Sequence, residues 1–211
     1  MCIRDSPFLL LHGAEPDFAW ERFVAAVLQL VERLGVTTVV ALHAIPMPVP
    51  HTRPVTVTAH ATRRQLIEAY PVYWGEMRIP GSVASLLEVR LGEAGVDALG
   101  VAVHVPHYLA QATYPAASLT LLEHLERLTG LRVPTETLRE AAEVNRTEVD
   151  EQIGRSAENT AVVANLEQQF DSFTAAREET GLLGSAGEVP SGDDLADELE
   201  RFLAEQDRKR D

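Results

Sequence analysis

The sequence has a single cysteine, Cys2, and a single lysine, Lys209, in 211 residues. One cysteine excludes an internal disulfide framework and any multi-cysteine metal site, and a reducing, cytoplasmic setting is the simplest reading. One lysine, placed in the terminal tail, leaves any phosphate charge to arginines and argues against nucleotide-dependent ligase chemistry. Bases are outnumbered by acids, 18 to 32, for a formal net charge of −14. That balance argues against nucleic acid as a partner, because a phosphate backbone is bound chiefly through Lys and Arg. No apolar run approaches the roughly 20 residues of a membrane helix, so no membrane partner is expected. There is no Gly-x-Ser-x-Gly elbow, no phosphate loop of the Gly-x-x-x-x-Gly-Lys type and no Gly-x-Gly-x-x-Gly fingerprint.

What is present is an alternation of strands and helices organised around Asp97 to Leu128. Ala98 to Val105 is a small-apolar and β-branched run interrupted only by His104, as in a strand buried on both faces. Pro106 ends it, and Pro115 stands where a first helical residue belongs, before Leu119, Leu122 and Leu125 at helical spacing. The loop between carries His107, Tyr108, Gln111 and Tyr114, beyond a strand's carboxyl end, where open α/β sheets usually hold ligands.

Before this stretch, Phe8 to Leu11 reads as a short strand. A helix capped by Asp17 runs to Leu34, with Phe23, Val27, Leu30, Val31 and Leu34 inward and Gly35 ending it. Thr38 to Leu42 and Val55 to Ala59 read as strands, separated by a proline-rich extended loop from Ile45 to Pro54. Thr62 is expected to cap a short helix through Glu68, and Met77 to Ile79 reads as a weak strand. Pro80-Gly81-Ser82 opens a helix from Ser82 to Ala94, either as an ordinary cap or as a set of N–H groups for an anion, the cap being favoured. The expected fold class is α/β, a three-layer, mostly parallel sheet with a helical C-terminal extension.

Charge marks a boundary at Pro134. Up to it there are 12 acids and 10 bases; from Thr135 onward there are 20 acids and 8 bases. The expected organisation is therefore an α/β core over 1–134, an acidic helical extension over 135–180, a flexible linker over 181–192 and an amphipathic helix over 193–211. Within the extension, Thr135 caps one helix, and a second runs from Thr147 to Arg177 with Val149, Ile153, Val163, Leu166, Phe170 and Phe173 recurring on one stripe.

Six of the seven histidines fall at expected strand ends or in the loops beyond them: His12, His43, His51, His60, His104 and His107. Parallel strands would bring several to one edge of the sheet, where Arg53, Tyr108 and Gln111 join them as a candidate ligand-binding set. Neutral imidazole is a common metal ligand, but no established metal-ligand spacing occurs here. Satisfaction of backbone groups is the favoured role, and neither metal, cofactor nor catalytic residue is assigned.

Four separated stretches, LLLHGAEPDFAW from Leu9, AIPMPVPHTRPVTVTAHAT, PGSVASLLEVRLGEAG and AVHVPHYLAQATYPAASLTLLEHL, together resemble the actinobacterial branch of the proteasome-assembly-chaperone family, from about Phe8 to Asp171. The resemblance implies a Rossmann-like, phosphorylase-like fold, homo-oligomers and a family whose eukaryotic relatives guide assembly of proteasome α-subunits. It supplies no catalytic residues. The family has a further strand, loop and helix ahead of Phe8, so Met1 to Ser6 reads as a truncated start. The tail, Arg208-Lys209-Arg210-Asp211, departs from the hydrophobic-Tyr-x ending of archaeal relatives. The expected function is a non-enzymatic, assembly-chaperone-like interaction protein with a proteasome-related partner. The alternative is a small-ligand-binding or hydrolase/phosphorylase-like enzyme using the histidine-lined strand ends.

Overall fold

The computed structural model describes residues 8–70 and 80–184. In chain order the elements are α1 (Trp20–Leu34), β1 (Thr38–Met47), β2 (Val57–Ala61), α2 (Val83–Glu93), β3 (Asp97–Pro106), α3 (Pro115–Thr129), α4 (Glu136–Gly154) and α5 (Ala157–Gly184). Single 3-10 turns lie at Arg64–Ile67 and His107–Leu109. The chain falls into two compact units, residues 1–167 and 168–211. In the second, described up to Gly184, the end of α5 is regular helix, with the Thr174 hydroxyl donating to the Phe170 carbonyl.

The organising strand is where the sequence places it. Every residue of β3 from Ala98 to Pro106 is buried, and Pro106 is its last residue. The sheet order is β1-β3-β2, with β1 parallel to β3 from Thr38↔Asp97 to Met47↔Pro106. β2 runs antiparallel, from Val57↔Val103 to Ala61↔Leu99. The described sheet is thus a three-stranded mixed sheet, and the expectation of mostly parallel strands is corrected at β2.

Side chains alternate across β3 and feed two separate apolar clusters. Val101, Val103 and Val105 join Val57, Leu109, Ala117 of α3 and Val149 of α4. Ala98, on the opposite face, joins Val27 and Val31 of α1 and Leu91 of α2. The apolar stripe of α3 is offset from the expected one: Ala117, Leu121 and Leu128 face the cluster. Leu30 and Leu34 of α1, expected inward, are 46% and 54% exposed, while Val24 takes a buried place.

Several local expectations are corrected by what their backbone groups bond. Phe8 to Leu11 is an exposed segment outside any strand, because no described strand lies beside it to accept its N–H groups. Asp17 does not cap α1; Ala19 does, in the left-handed region at φ 56°, and its carbonyl accepts from the Arg22 and Phe23 N–H groups. Thr62 caps no helix. Its N–H and hydroxyl donate to the Ala98 carbonyl, and its Oγ1 accepts from the Ala98 N–H, which prolongs the β2–β3 ladder by a side chain.

The expected helix from Thr147 to Arg177 is two helices. Gly154 ends α4, and Ser156 starts α5 by accepting the Asn159 N–H on its Oγ at 3.3 Å, the exchange of a serine N-cap. Thr147 lies inside α4, its hydroxyl on the Glu143 carbonyl. α5 continues to Gly184, and the rest of the expected linker, the last helix and the Met77–Ile79 strand lie outside the described residues.

Candidate functional site

The face of β3 that carries Ala98 continues as Gly100, Ala102 and His104. Beside these small residues stand two histidines from the outer strands, His43 of β1 opposite Ala102 and His60 of β2 opposite Gly100. Both lie within strands, because β1 and β2 run further than the hydrophobic runs suggest. Their imidazoles reach across the central strand, with centroids 5.3 Å apart and Nε2 atoms 3.4 Å apart. A Cβ on Gly100 would stand 2.2 Å from Cε1 of His60, so glycine makes room for this ring. Glu88 of α2 holds the other nitrogen of His60, with Oε2 2.7 Å from Nδ1. Burial, and then the neighbouring His60, push the His43 pKa down, with Glu88 opposing.

His104 lies on the same face but has a different role. Its ring nitrogens stand 2.8 Å from the hydroxyls of Thr56 and Thr58, and its backbone N–H donates to the Thr56 carbonyl. It is 2% exposed, and burial lowers its pKa, so the imidazole is held neutral between two hydroxyls that can each donate or accept.

A second constellation joins the proline-rich loop to the turn after β3 and to α4. The Tyr108 hydroxyl accepts the His51 backbone N–H at 2.9 Å and lies 2.7 Å from His51 Nδ1. The Asp150 carboxylate can only accept, so in the neutral imidazole the proton sits on Nε2, facing Oδ1 at 2.9 Å, and Nδ1 accepts from the Tyr108 hydroxyl. Next to it, Thr52 and Arg53 both donate to Glu167, Arg53 at 3.0 Å. The order carboxylate, imidazole, hydroxyl resembles a nucleophile relay, but the hydroxyl oxygen, the atom that would attack, is engaged by the His51 backbone N–H. Burial raises the Tyr108 pKa as well, the opposite of what activation of a nucleophile needs. The arrangement is a clasp on the loop.

Beside the clasp is a cleft of about 510 Å³ whose lining includes Pro54, Tyr114, Leu119, Arg139 and Arg146. Burial pushes the Tyr114 pKa up to about 12, so that side chain is a neutral phenol there. Arg139 pairs with Glu123 at 3.0 Å, and Arg146 lies 4.0 Å from Asp150. A second cleft, of about 580 Å³, lies at the opposite end of β3, where Arg63 makes a two-pronged pair with Asp97.

Of the sequence-derived candidates, the structure joins His43 to His60, joins His51 to Tyr108, and sets Arg53 beside the latter pair. His107 is exposed with its ring edge-on to Tyr108 at 5.4 Å. His12 and Gln111 are exposed and belong to neither group. No single edge collects the histidines, because β2 is antiparallel and the proline loop carries His51 to the α4 side. The start of α2 is an ordinary cap: Ser82 accepts from the Ser85 N–H, and the Glu15 carboxylate takes the Val83 N–H at 2.6 Å. Sequence reasoning missed Glu88, Asp150, Glu167 and the two threonines on His104. Glu88 had a signal, since it follows inward Leu87 and precedes Leu91 by three positions on the same helix.

The match to a family model, PAC2 family, covers residues 2–153. A solved protein of unknown function from Mycobacterium tuberculosis, Rv2714, is 47% identical with a TM-score of 0.77, over 80% of this chain and 57% of that one. Another of unknown function, from Corynebacterium glutamicum, is 42% identical with a TM-score of 0.75, over 81% of this chain and 63% of that one. The Mycobacterium tuberculosis proteasome-assembly chaperone homologue Rv2125 is 30% identical with a TM-score of 0.66, over 72% of this chain and 64% of that one. This chain therefore spans less than two thirds of the length of each. No curated protein matches the sequence. Four ordered sequence stretches, the fold and these likenesses agree: the chain belongs to the PAC2 family.

Proposed function

We propose that this chain is a non-enzymatic interaction protein of the assembly-chaperone kind, with a proteasome-related protein as its partner. The observation that carries this reading is the 30% identity to the proteasome-assembly chaperone homologue over 72% of the chain. The clasp supports it, because the carboxylate, imidazole and hydroxyl that most resemble catalytic machinery are engaged in holding a loop. The reading includes a three-layer, Rossmann-like core, supported by apolar clusters fed from opposite faces of β3. It also includes an acidic helical extension over 135–180, a linker over 181–192, a terminal helix, homo-oligomers and a cytoplasmic site of action. No described helix is long and apolar enough to cross a membrane.

The test is co-expression with the proteasome α- and β-subunits of the source genome. Native gels should show a complex between this chain and α-subunits, and faster appearance of full rings. Unchanged ring formation, with no complex on crosslinking, would refute the reading.

A further inference from the structure

The spacing within the His43–His60–Glu88 group is unlike that of a simple hydrogen-bonded pair. Hydrogen bonds from an N–H donor ordinarily span roughly 2.7–3.2 Å. The 3.4 Å between the two Nε2 atoms is long for one. Two nitrogen ligands on a tetrahedral zinc ion, each about 2.0–2.1 Å from the metal, stand about 3.3–3.4 Å apart. The observed separation matches that spacing.

The surroundings agree. Glu88 Oε2 lies 2.7 Å from His60 Nδ1, so His60 donates there and keeps the lone pair of Nε2 for the gap facing His43. A carboxylate on the far nitrogen of a histidine is the usual outer partner of a metal ligand, fixing its tautomer and raising its basicity. Each part sits on regular structure: His43 on β1, His60 on β2, Glu88 on α2, with Gly100 giving the second ring its room. The remaining surface histidines have no such support.

We propose that His43 and His60 are the two protein ligands of a zinc-class divalent ion, with Glu88 as the outer-shell residue that orients His60. Among the described residues no group of three or more His, Cys, Asp and Glu side chains is arranged to hold a metal, so water or an anionic ligand completes the coordination. Affinity accordingly falls below that of sites with three or four protein ligands, and the ion is exchangeable. The inference stands apart from the proposed partner, since it needs only these three side chains.

The experiment uses the full, untagged chain in a Cys2→Ser background, titrated with Co²⁺ and with Zn²⁺. Cobalt should give one saturable site per chain, with the strong visible absorption of a four-coordinate ion, and zinc should displace it. His43→Asn and His60→Ala should each abolish the signal. Glu88→Gln should weaken binding about 10- to 100-fold while leaving the spectrum's shape unchanged. A paired His12→Ala, His107→Ala variant, which removes exposed histidines, should bind as the parent does. Thermal melts accompany every variant. If His60→Ala fails to fold, His43→Asn decides, because His43 is half-exposed on β1. Absence of a saturable site in the parent, or its survival in His43→Asn, would overturn the assignment. Unchanged affinity in Glu88→Gln would overturn the outer-shell role.

Discussion

Gly100→Ala tests the packing of the histidine face in a way that separates it from backbone preference. In a strand interior alanine is ordinarily the better residue, by about 0.5–1 kcal/mol. Here the new methyl would meet ring atoms of His60 at 2.2 Å and 2.4 Å, so the ring must leave its place. Overpacking of this kind costs about 1–3 kcal/mol. Displacing the ring also breaks the bond to Glu88, worth about 1 kcal/mol where one partner is partly solvated. The net expectation is a loss of about 1–3 kcal/mol against a total of roughly 5–15 kcal/mol.

Urea unfolding of four proteins closes the cycle: the parent, Gly100→Ala, His60→Ala and the double variant. Once His60 is alanine the obstacle is gone, and Gly100→Ala should become neutral or stabilising. The sign change, read as a shift in the unfolding midpoint at constant slope, measures the contact between the two sites. If Gly100→Ala costs the same in both backgrounds, within about 0.5 kcal/mol, the ring does not occupy that space.

Other expectations address the rest of the fold. Val101, fully buried at the centre of β3, should not tolerate aspartate, because an unpaired buried charge costs several kcal/mol; soluble Val101→Asp that melts cooperatively would contradict this. His51→Ala removes the ring that bridges Tyr108 and Asp150 but keeps the backbone N–H on Tyr108, so amide exchange should quicken in residues 49–54 while β3 stays protected. His104 has a folded pKa below its unfolded value of about 6.5, so its neutral form stabilises the fold above that pH and the contribution is lost as pH falls through the folded pKa. His43 and His124, also lowered mainly by burial, act in the same direction. Melting temperature should hold between pH 8 and 7 and decline below about 6.5, and His104→Gln should flatten that decline; an unchanged slope would contradict the assignment.

Legibility in the sequence followed how local the cause was. β3, its end at Pro106 and the start of α3 at Pro115 were readable because proline acts on its own backbone. The break between α4 and α5 was also local, in Gly154 and Ser156, yet the apolar spacing of Ile153 and Val163 reads across it. The direction of β2 was not readable, since five residues carry no mark of parallel or antiparallel pairing. With that direction wrong, the histidines were assigned to one edge, whereas His43, His60 and His104 share one face of the sheet and His51 lies in a loop. His51 with Tyr108, 57 positions apart, and His51 with Asp150, 99 apart, are joined only by tertiary structure.

The strand that was easiest to find also concealed the site. A strand buried on both faces reads as one continuous apolar run, which suppresses the alternation that would tell its faces apart. In Gly100-Val101-Ala102-Val103-His104-Val105 the alternation survives as size. The valines supply volume to the cluster with Ala117 and Val149, where contact area stabilises the fold. The glycine and the alanine on the other face supply room, and His43 and His60 from the outer strands use it. Folding and site chemistry are thus divided between the two faces of one strand. Substitutions at 101, 103 and 105 should act on stability. Those at 100 and 102 should act first on the two imidazoles and on whatever they hold.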